Sequence, residues 1–139
     1  MNAAFDEILR AEAQTRSGLF TATAQRLGTT PQNIEKDFWV CWTLDALFNG
    51  LGDGPRLLFK GGTSLSKAFG LIQRFSEDIE VTVFRDDLGI PATVEELAAL
   101  SGKKRSAALD AIKEACEVYI NGPLAERLAT ICAETCARA

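Results

Sequence analysis

The hydrophobic periodicity of this chain is helical almost from end to end and changes to that of a strand in only one stretch. Apolar side chains recur at three- and four-residue steps up to about residue 49 and again from residue 93. Between them, the apolar run 56–60 ends in a Gly-Gly pair, and residues 78–83 alternate polar and apolar. Two short strand signals among many helical ones predict an α+β fold that is mostly helical.

Capping residues divide the helical part of the sequence. Gly18 is predicted to close the first helix, and Gly28 to close the second in a left-handed cap. Thr30 and Pro31 are a typical cap and first residue of a third helix. The predicted helices span 5–15, 19–27, 31–49, 65–75 and 93–139, the last with breaks at 101–102 and 121–123.

Length and composition limit the possible chemistry. The 139 residues are predicted to form a single domain, 1–139. The chain contains no histidine, which excludes Ser-His-Asp and Cys-His catalysis and His-ligated zinc. A net charge of -4 argues against a broad DNA-binding face. Carboxylate, lysine, hydroxyl and thiol chemistry remain.

The sequence carries no predicted membrane or secretion signal, so we expect a cytoplasmic protein with no membrane partner. Asp37 and Asp45 interrupt the most apolar stretch, and the N-terminus lacks the basic start of a leader. None of the four cysteines, at positions 41, 116, 132 and 136, forms a C-x-x-C pair. We therefore predict buried free thiols.

Two carboxylates occupy the second strand signal. Asp78 and Glu80 are two residues apart, and in an extended strand such residues point to the same side with roughly 6 to 7 Å between their α-carbons. Mg²⁺ takes oxygen ligands and commonly accepts one or two protein carboxylates while keeping positions for phosphate oxygens. The pair is therefore a candidate metal site.

The Gly-Gly turn supplies complementary groups. Gly61 and Gly62 allow the backbone to approach a ligand closely, Thr63 and Ser64 carry hydroxyl donors, and Lys67 adds a positive charge one helical turn later. Phosphate donors beside metal ligands suit nucleotidyl transfer, which depends on positioning and charge neutralisation and needs no histidine. By spacing alone, the same residues also fit a tight turn beside solvent-facing strand charges.

Three sequence segments taken together are more specific for a protein family than the glycine turn or the acidic pair alone. They are EKDFWV at 35–40, FKGGTSLSK at 59–67 and RFSEDIE at 74–80. They resemble the AbiEii/AbiGii-type nucleotidyltransferase toxins of phage abortive infection and type IV toxin-antitoxin systems. The resemblance covers about residues 30–85, and the helical region 93–139 is compatible with it. It implies a partial DNA-polymerase-beta-like nucleotidyltransferase core with a small sheet.

The resemblance also implies roles for particular residues and partners. The glycine turn would hold the phosphates of a nucleoside triphosphate, and the acidic pair would bind Mg²⁺ and carry catalysis. The acceptor would be an RNA such as tRNA, or a protein, and the chain would have a cognate antitoxin. The residues concerned are Gly61, Gly62, Thr63, Ser64 and Lys67 for the nucleotide, and Asp78 and Glu80 for the metal.

Two features depart from the family pattern. The family usually has aspartate where this chain has Glu80, and its members are usually about twice as long, with a third carboxylate and a basic motif further on. Nothing after Phe84 is predicted to be a strand, and two short strands alone leave unpaired edges. We therefore expect a truncated or degenerate member, completed by helices, unrecognised strands or another subunit. Dimerisation through the sheet edge or the C-terminal helices is expected.

Two other interpretations remain open. The chain could be a catalytically inactive nucleotide-binding or protein-interaction module that pairs with an antitoxin or with the rest of an enzyme. It could also be a structural helical domain in which Glu77, Asp78 and Glu80 are solvated. The charged residues 35–37 are interpreted as a solvated helix start, and the basic cluster 103–105 as another or as an RNA contact.

Overall fold

Helices make up most of the chain, as predicted, and a small sheet completes the α+β fold. The structure is a computed structural model that describes residues 1–70, 75 and 77–138. Within these ranges the α-helices and strands are α1 (Ala3–Arg10), α2 (Ala13–Leu27), α3 (Pro31–Asp45), β1 (Leu57–Lys60), α4 (Gly61–Lys67), β2 (Glu80–Val83), α5 (Val94–Ala99), α6 (Gly102–Tyr119) and α7 (Ala125–Arg138). No helix in these ranges has the length and apolarity required to span a bilayer.

The start of α3 follows the capping prediction. The Thr30 hydroxyl accepts a hydrogen bond from the Asn33 N–H at 3.3 Å, with Pro31 in the first turn. Gly28 closes α2 at φ 68°, in the left-handed region that favours glycine.

The predicted boundary at Gly18 is wrong, because this glycine lies inside α2. The first helix already ends at Arg10, eight residues earlier. There the Arg16 guanidinium donates to the carbonyls of Leu9 and Ala11, which satisfies acceptors that a helix end leaves open. A side-chain contact from the start of the next helix therefore closes α1 in place of the glycine.

Helix α3 is the central element of the core. Ile34 packs with Phe20 and Ala24 of α2. About two turns further along α3, Trp42 packs with Ala46 and with Ile131 of α7. The predicted apolar stripe is correct to this point. It fails at Phe48, which is exposed because the chain leaves α3 through a π-helical turn, Ala46–Gly50.

The C-terminal helices are more continuous than predicted. Ser101 accepts a hydrogen bond from the Lys104 N–H and separates α5 from α6, as expected. The α-helix is interrupted where the break at 121–123 was predicted, but the interruption is a π-helical turn, Ile120–Leu124, that joins α6 directly to α7 with Pro123 inside it. A π turn interrupts the regular hydrogen-bond ladder, where the missing N–H of a proline matters least.

The basic cluster at the start of α6 is exposed, as the prediction of a solvated helix start requires. The Arg105 guanidinium also donates to the carbonyls of Leu97, Ala98 and Leu100 at distances of 2.8 to 3.1 Å. Arg105 therefore closes the C-terminal end of α5, a contact that the prediction did not include.

The two strands pair antiparallel, with Leu57 opposite Val83 and Lys60 opposite Glu80. The second strand alternates as predicted, and Val83 is its buried end. The first strand is not buried throughout, because its side chains also alternate and Leu58 is half-exposed. After Val83 the described residues contain helical segments and no strand, which confirms the prediction for this part of the chain.

The helix after the glycine pair begins earlier than predicted. It starts at Gly61, directly after β1, so Thr63 and Ser64 lie inside it and are buried. It ends at Lys67. The prediction of a helix to residue 75 is wrong for residues 68–70 and 75, which are not helical, and residues 71–74, including Ile72, lie outside the described residues.

The four cysteines are free thiols, as predicted. Their predicted burial is only partly correct. Cys41, Cys116 and Cys132 are half-buried, whereas Cys136 is exposed.

Candidate functional site

Gly61 is held in a conformation that only glycine adopts easily. Its φ is 78°, at the point where β1 becomes α4 without a connecting loop. A Cβ built on Gly61 would lie 2.7 Å from Cδ of Glu80 and 2.9 Å from Oε2. The Glu80 carboxylate therefore occupies the space that any other side chain at position 61 would need.

The register of the sheet explains this approach. Lys60 pairs with Glu80 across the antiparallel ladder, so Glu80 lies opposite the residue that precedes Gly61. The sequence predicted the turn and the carboxylate separately. The pairing of β1 with β2 brings them together.

A hydrogen bond joins α4 to the segment before β2. The Thr63 hydroxyl donates to the backbone carbonyl of Asp78. Asp78 is exposed and lies two residues before Glu80, the first residue of the strand, so the acidic pair spans the strand start. Thr63 and Ser64 are both buried, and the hydroxyl of Thr63 supports the acidic segment directly.

Lys67 is oriented toward α3. Its ammonium group forms an ion pair with Asp37 and a hydrogen bond with the sulfur of Cys41, one helical turn further along α3. Burial raises the pKa of the Cys41 thiol, and the Lys67 charge opposes part of that rise. The structure thus brings Gly61, Thr63, Asp78 and Glu80 together, while the Lys67 amine lies against α3.

The charged start of α3 is more than a solvated surface. The Asp37 side chain is only 22% exposed. Its neighbour Lys36 forms an ion pair with Glu77, immediately before Asp78. Sequence reasoning missed these contacts, although both residues belong to the string 35–40 that carries the resemblance. Their position in that string was the one sequence signal that they belong to the site.

The donor atoms fit a hard divalent cation. The described residues contain no group of three or more acidic, histidine or cysteine side chains gathered as a metal site. Asp78 and Glu80 nevertheless offer exposed carboxylate oxygens. Two protein carboxylates are enough for Mg²⁺ where phosphate and water supply the other ligands.

A cavity of about 730 Å³ lies at the other end of β1. Both π-helical turns line it, together with Arg56, Tyr119 and Arg127. The cavity reaches Leu57, the first residue of β1, whereas the glycine turn follows the last. At ~3.3 Å per residue, roughly 10 Å of strand separates the two features. The cavity is thus distinct from the predicted site.

Comparison with known protein families assigns the chain to one of them. The family described as the nucleotidyl transferase AbiEii toxin of type IV toxin-antitoxin systems matches residues 42–134. The chain belongs to the AbiEii family. The match includes the glycine turn, the acidic pair and the C-terminal helices, and it begins after Asp37.

Membership in the AbiEii family supports a nucleotidyltransferase-like toxin, and a toxin-antitoxin system implies an antitoxin partner. Nucleotidyltransferases typically use a divalent metal. Neither a curated protein nor a solved structure matches the chain significantly.

Proposed function

We propose that this AbiEii-family chain binds a nucleoside triphosphate with Mg²⁺ and transfers a nucleotide to an RNA acceptor such as tRNA. The observation that carries the proposal is the approach of the Glu80 carboxylate to Gly61. Nucleotidyl transfer needs phosphate-binding groups and metal-binding carboxylates at one place. The contact brings together the glycine turn, a candidate phosphate-binding group, and Glu80, a candidate metal-binding carboxylate.

The proposed roles follow from the contacts of each residue. Gly61 and Gly62 leave the backbone open to phosphate oxygens, and Ser64 lies one residue beyond Thr63 in the same turn of α4. Because Lys67 is ion-paired with Asp37 of α3, its proposed share in nucleotide binding is to hold α4 in place. Because the Thr63 hydroxyl donates to the Asp78 carbonyl, its share in phosphate binding is to hold the turn against the acidic segment.

Asp78 and Glu80 would hold the metal, and one of them would accept a proton. When bound, Mg²⁺ neutralises charge on the triphosphate. The acceptor hydroxyl oxygen forms a bond to the α-phosphorus, and the bond from that phosphorus to the bridging oxygen breaks. Pyrophosphate leaves with the electron pair. The proton of the acceptor hydroxyl passes to a carboxylate, for which we propose Asp78.

The proposal is tested by labelling. The protein is incubated with each α-³²P nucleoside triphosphate, Mg²⁺ and total tRNA, and the wild type is compared with Asp78→Ala. Asp86→Ala is the matched control, because Asp86 is also exposed but lies in the 3-10 turn after β2. We expect labelled RNA from the wild type and the control only. Equal labelling by Asp78→Ala would remove Asp78 from catalysis.

The same samples distinguish nucleotidyl transfer from the alternative functions. If the wild type labels no RNA but Mg²⁺ and a nucleotide still raise its melting temperature, the chain is a nucleotide-binding module without transferase activity. If neither effect is seen and an antitoxin is retained in a pull-down, it is an interaction module.

A further inference from the structure

Adjacent residues of α3 contact the two halves of the proposed site. Asp37 forms an ion pair with Lys67, at the end of the helix that begins with the glycine turn. Lys36 forms an ion pair with Glu77, which directly precedes the acidic pair. The two contacts start from neighbouring positions of one helix. The two contacts therefore attach both the glycine turn and the acidic segment to α3.

The pairs differ in strength. The Lys36 and Glu77 side chains are 54% and 65% exposed, and ion pairs in such positions contribute little. The Lys67 and Asp37 side chains are 25% and 22% exposed, so water screens their attraction much less. Lys67 also hydrogen-bonds Cys41 of the same helix. The contact through Asp37 is therefore the dominant one.

Helix α3 is fixed in the core on both sides of these contacts. Ile34 and Trp42 are buried on either side of Asp37, and they pack α3 against α2 and α7. A two-stranded sheet is only marginally stable alone, so it relies on contacts with neighbouring elements. The position of the glycine turn thus depends on its attachment to α3.

We propose that Asp37 is a positioning residue for nucleotide binding, with Lys36 as a second and weaker contact. Asp37 holds Lys67, and through it α4, so that the glycine turn stays at a fixed distance from Asp78 and Glu80. The proposal rests on the proposed function. It assigns to the EKDFWV string a role in the site, although its residues touch neither phosphate nor metal.

The main test compares Asp37→Asn with the wild type. Asparagine keeps the shape but removes the charge that holds Lys67. Loss of an outer-shell partner of a metal ligand typically costs about ten- to a hundredfold, and we expect the loss of the partner that positions α4 to raise the KM for the nucleoside triphosphate by about tenfold, at the low end of that range. Asp37→Glu restores the charge and should recover most of the affinity. Affinity is measured independently by calorimetry with each nucleoside triphosphate and Mg²⁺.

The matched control is Asp45→Asn on the same helix. Asp45 accepts hydrogen bonds from the Asn2 backbone and the Asn49 side chain and has no ion pair among the described residues. The same loss of charge there should leave KM unchanged. If Asp37→Asn lowers only kcat and melting temperature, with KM as in the wild type, Asp37 is merely structural and the proposal is overturned.

A charge swap tests the second contact. K36E is expected to raise the KM by a smaller factor than Asp37→Asn, and K36E/E77K should restore it. No recovery in the double variant would overturn the role of Lys36. Failure of the proposed function is recognised separately, because the wild type itself would then bind no nucleotide, and the positioning role would fall with it.

Discussion

The carboxylate of Glu80 lies directly against Gly61, the residue at which β1 turns into α4. The contact joins the glycine turn and the acidic pair into one local structure, although Gly62 and Glu80 are 18 residues apart in the sequence. Glycine is favoured at position 61 by its positive φ, and a Cβ there would also displace the Glu80 carboxylate, which is the end of a flexible and exposed side chain.

The first prediction concerns the strain at Gly61. We expect Gly61→Ala to lower the free energy of unfolding by about 1 to 2 kcal/mol, because alanine is strained at positive φ, whereas the exposed Glu80 carboxylate moves aside at little cost. Gly52→Ala is the control, since Gly52 has φ 73° and no atom within 4 Å of an added Cβ. It should cost a similar amount. Urea unfolding of both variants measures the two losses. A loss at Gly61 that exceeds the loss at Gly52 by about 2 kcal/mol would contradict this prediction, because Glu80 would then be fixed against Gly61.

The second prediction concerns the length of the acidic side chain. Glu80→Asp shortens the side chain by one methylene and withdraws the carboxylate from Gly61. Because the Glu80 carboxylate can already move aside for a Cβ at position 61, the stability losses of Gly61→Ala and Glu80→Asp should add to within about 0.5 kcal/mol in the double variant G61A/E80D. A recovery of about 1 kcal/mol or more in the double variant would contradict this prediction. In the labelling assay, Glu80→Asp should need less Mg²⁺ than the wild type for half-maximal activity, whereas Glu80→Gln should lose the metal response.

The third prediction tests the packing of the C-terminal helix on α3. Ile131 is buried against Trp42 and Ala46, so Ile131→Ala should lower the free energy of unfolding by about 2 to 4 kcal/mol. Val118→Ala is the comparison, because Val118 is exposed on α6 and its truncation should change stability by less than about 0.5 kcal/mol. Thermal or urea unfolding gives both values. A small effect of Ile131→Ala would show that α7 is not needed for the core.

The fourth prediction concerns alkaline pH. Burial raises the pKa of the Cys41 thiol, so the folded protein favours its protonated form. The corresponding stability is complete below the ordinary thiol pKa of about 8.5 and is lost as the pH rises through the higher folded value. Above about pH 9, the free energy of unfolding should therefore fall more steeply for the wild type than for Cys41→Ser. Urea unfolding between pH 7 and pH 10 measures the slopes, with Cys136→Ser at an exposed position as control. Parallel curves for wild type and Cys41→Ser would contradict the assignment.

Local signals predicted much of the helical structure and the parts of the site. The hydroxyl of Thr30 and the flexibility of Gly28 act on neighbouring backbone, so their effects were visible in the sequence. The turn at Gly61 and the alternation of residues 80–83 are local in the same sense. The resemblance to the AbiEii family depended on these same segments, and the family match confirms it.

Errors arose at helix ends that are set by a side-chain contact or by an irregular turn. Arg16 closes α1 from the following helix, so Gly18 is not needed as a stop. The π-helical turn at Ile120–Leu124 keeps α6 and α7 continuous through Pro123. A sequence pattern carries no direct sign of either arrangement.

The sequence by itself determined the helical character of the chain, the glycine turn, the acidic pair and the family. Only the tertiary structure decided that Glu80 packs on Gly61, that Thr63 holds the Asp78 segment, and that Asp37 holds Lys67. Periodicity and capping describe interactions within a few residues of the chain. The contacts of the site join residues 15 to 30 positions apart, and their partners are chosen by strand register and by the packing of α3.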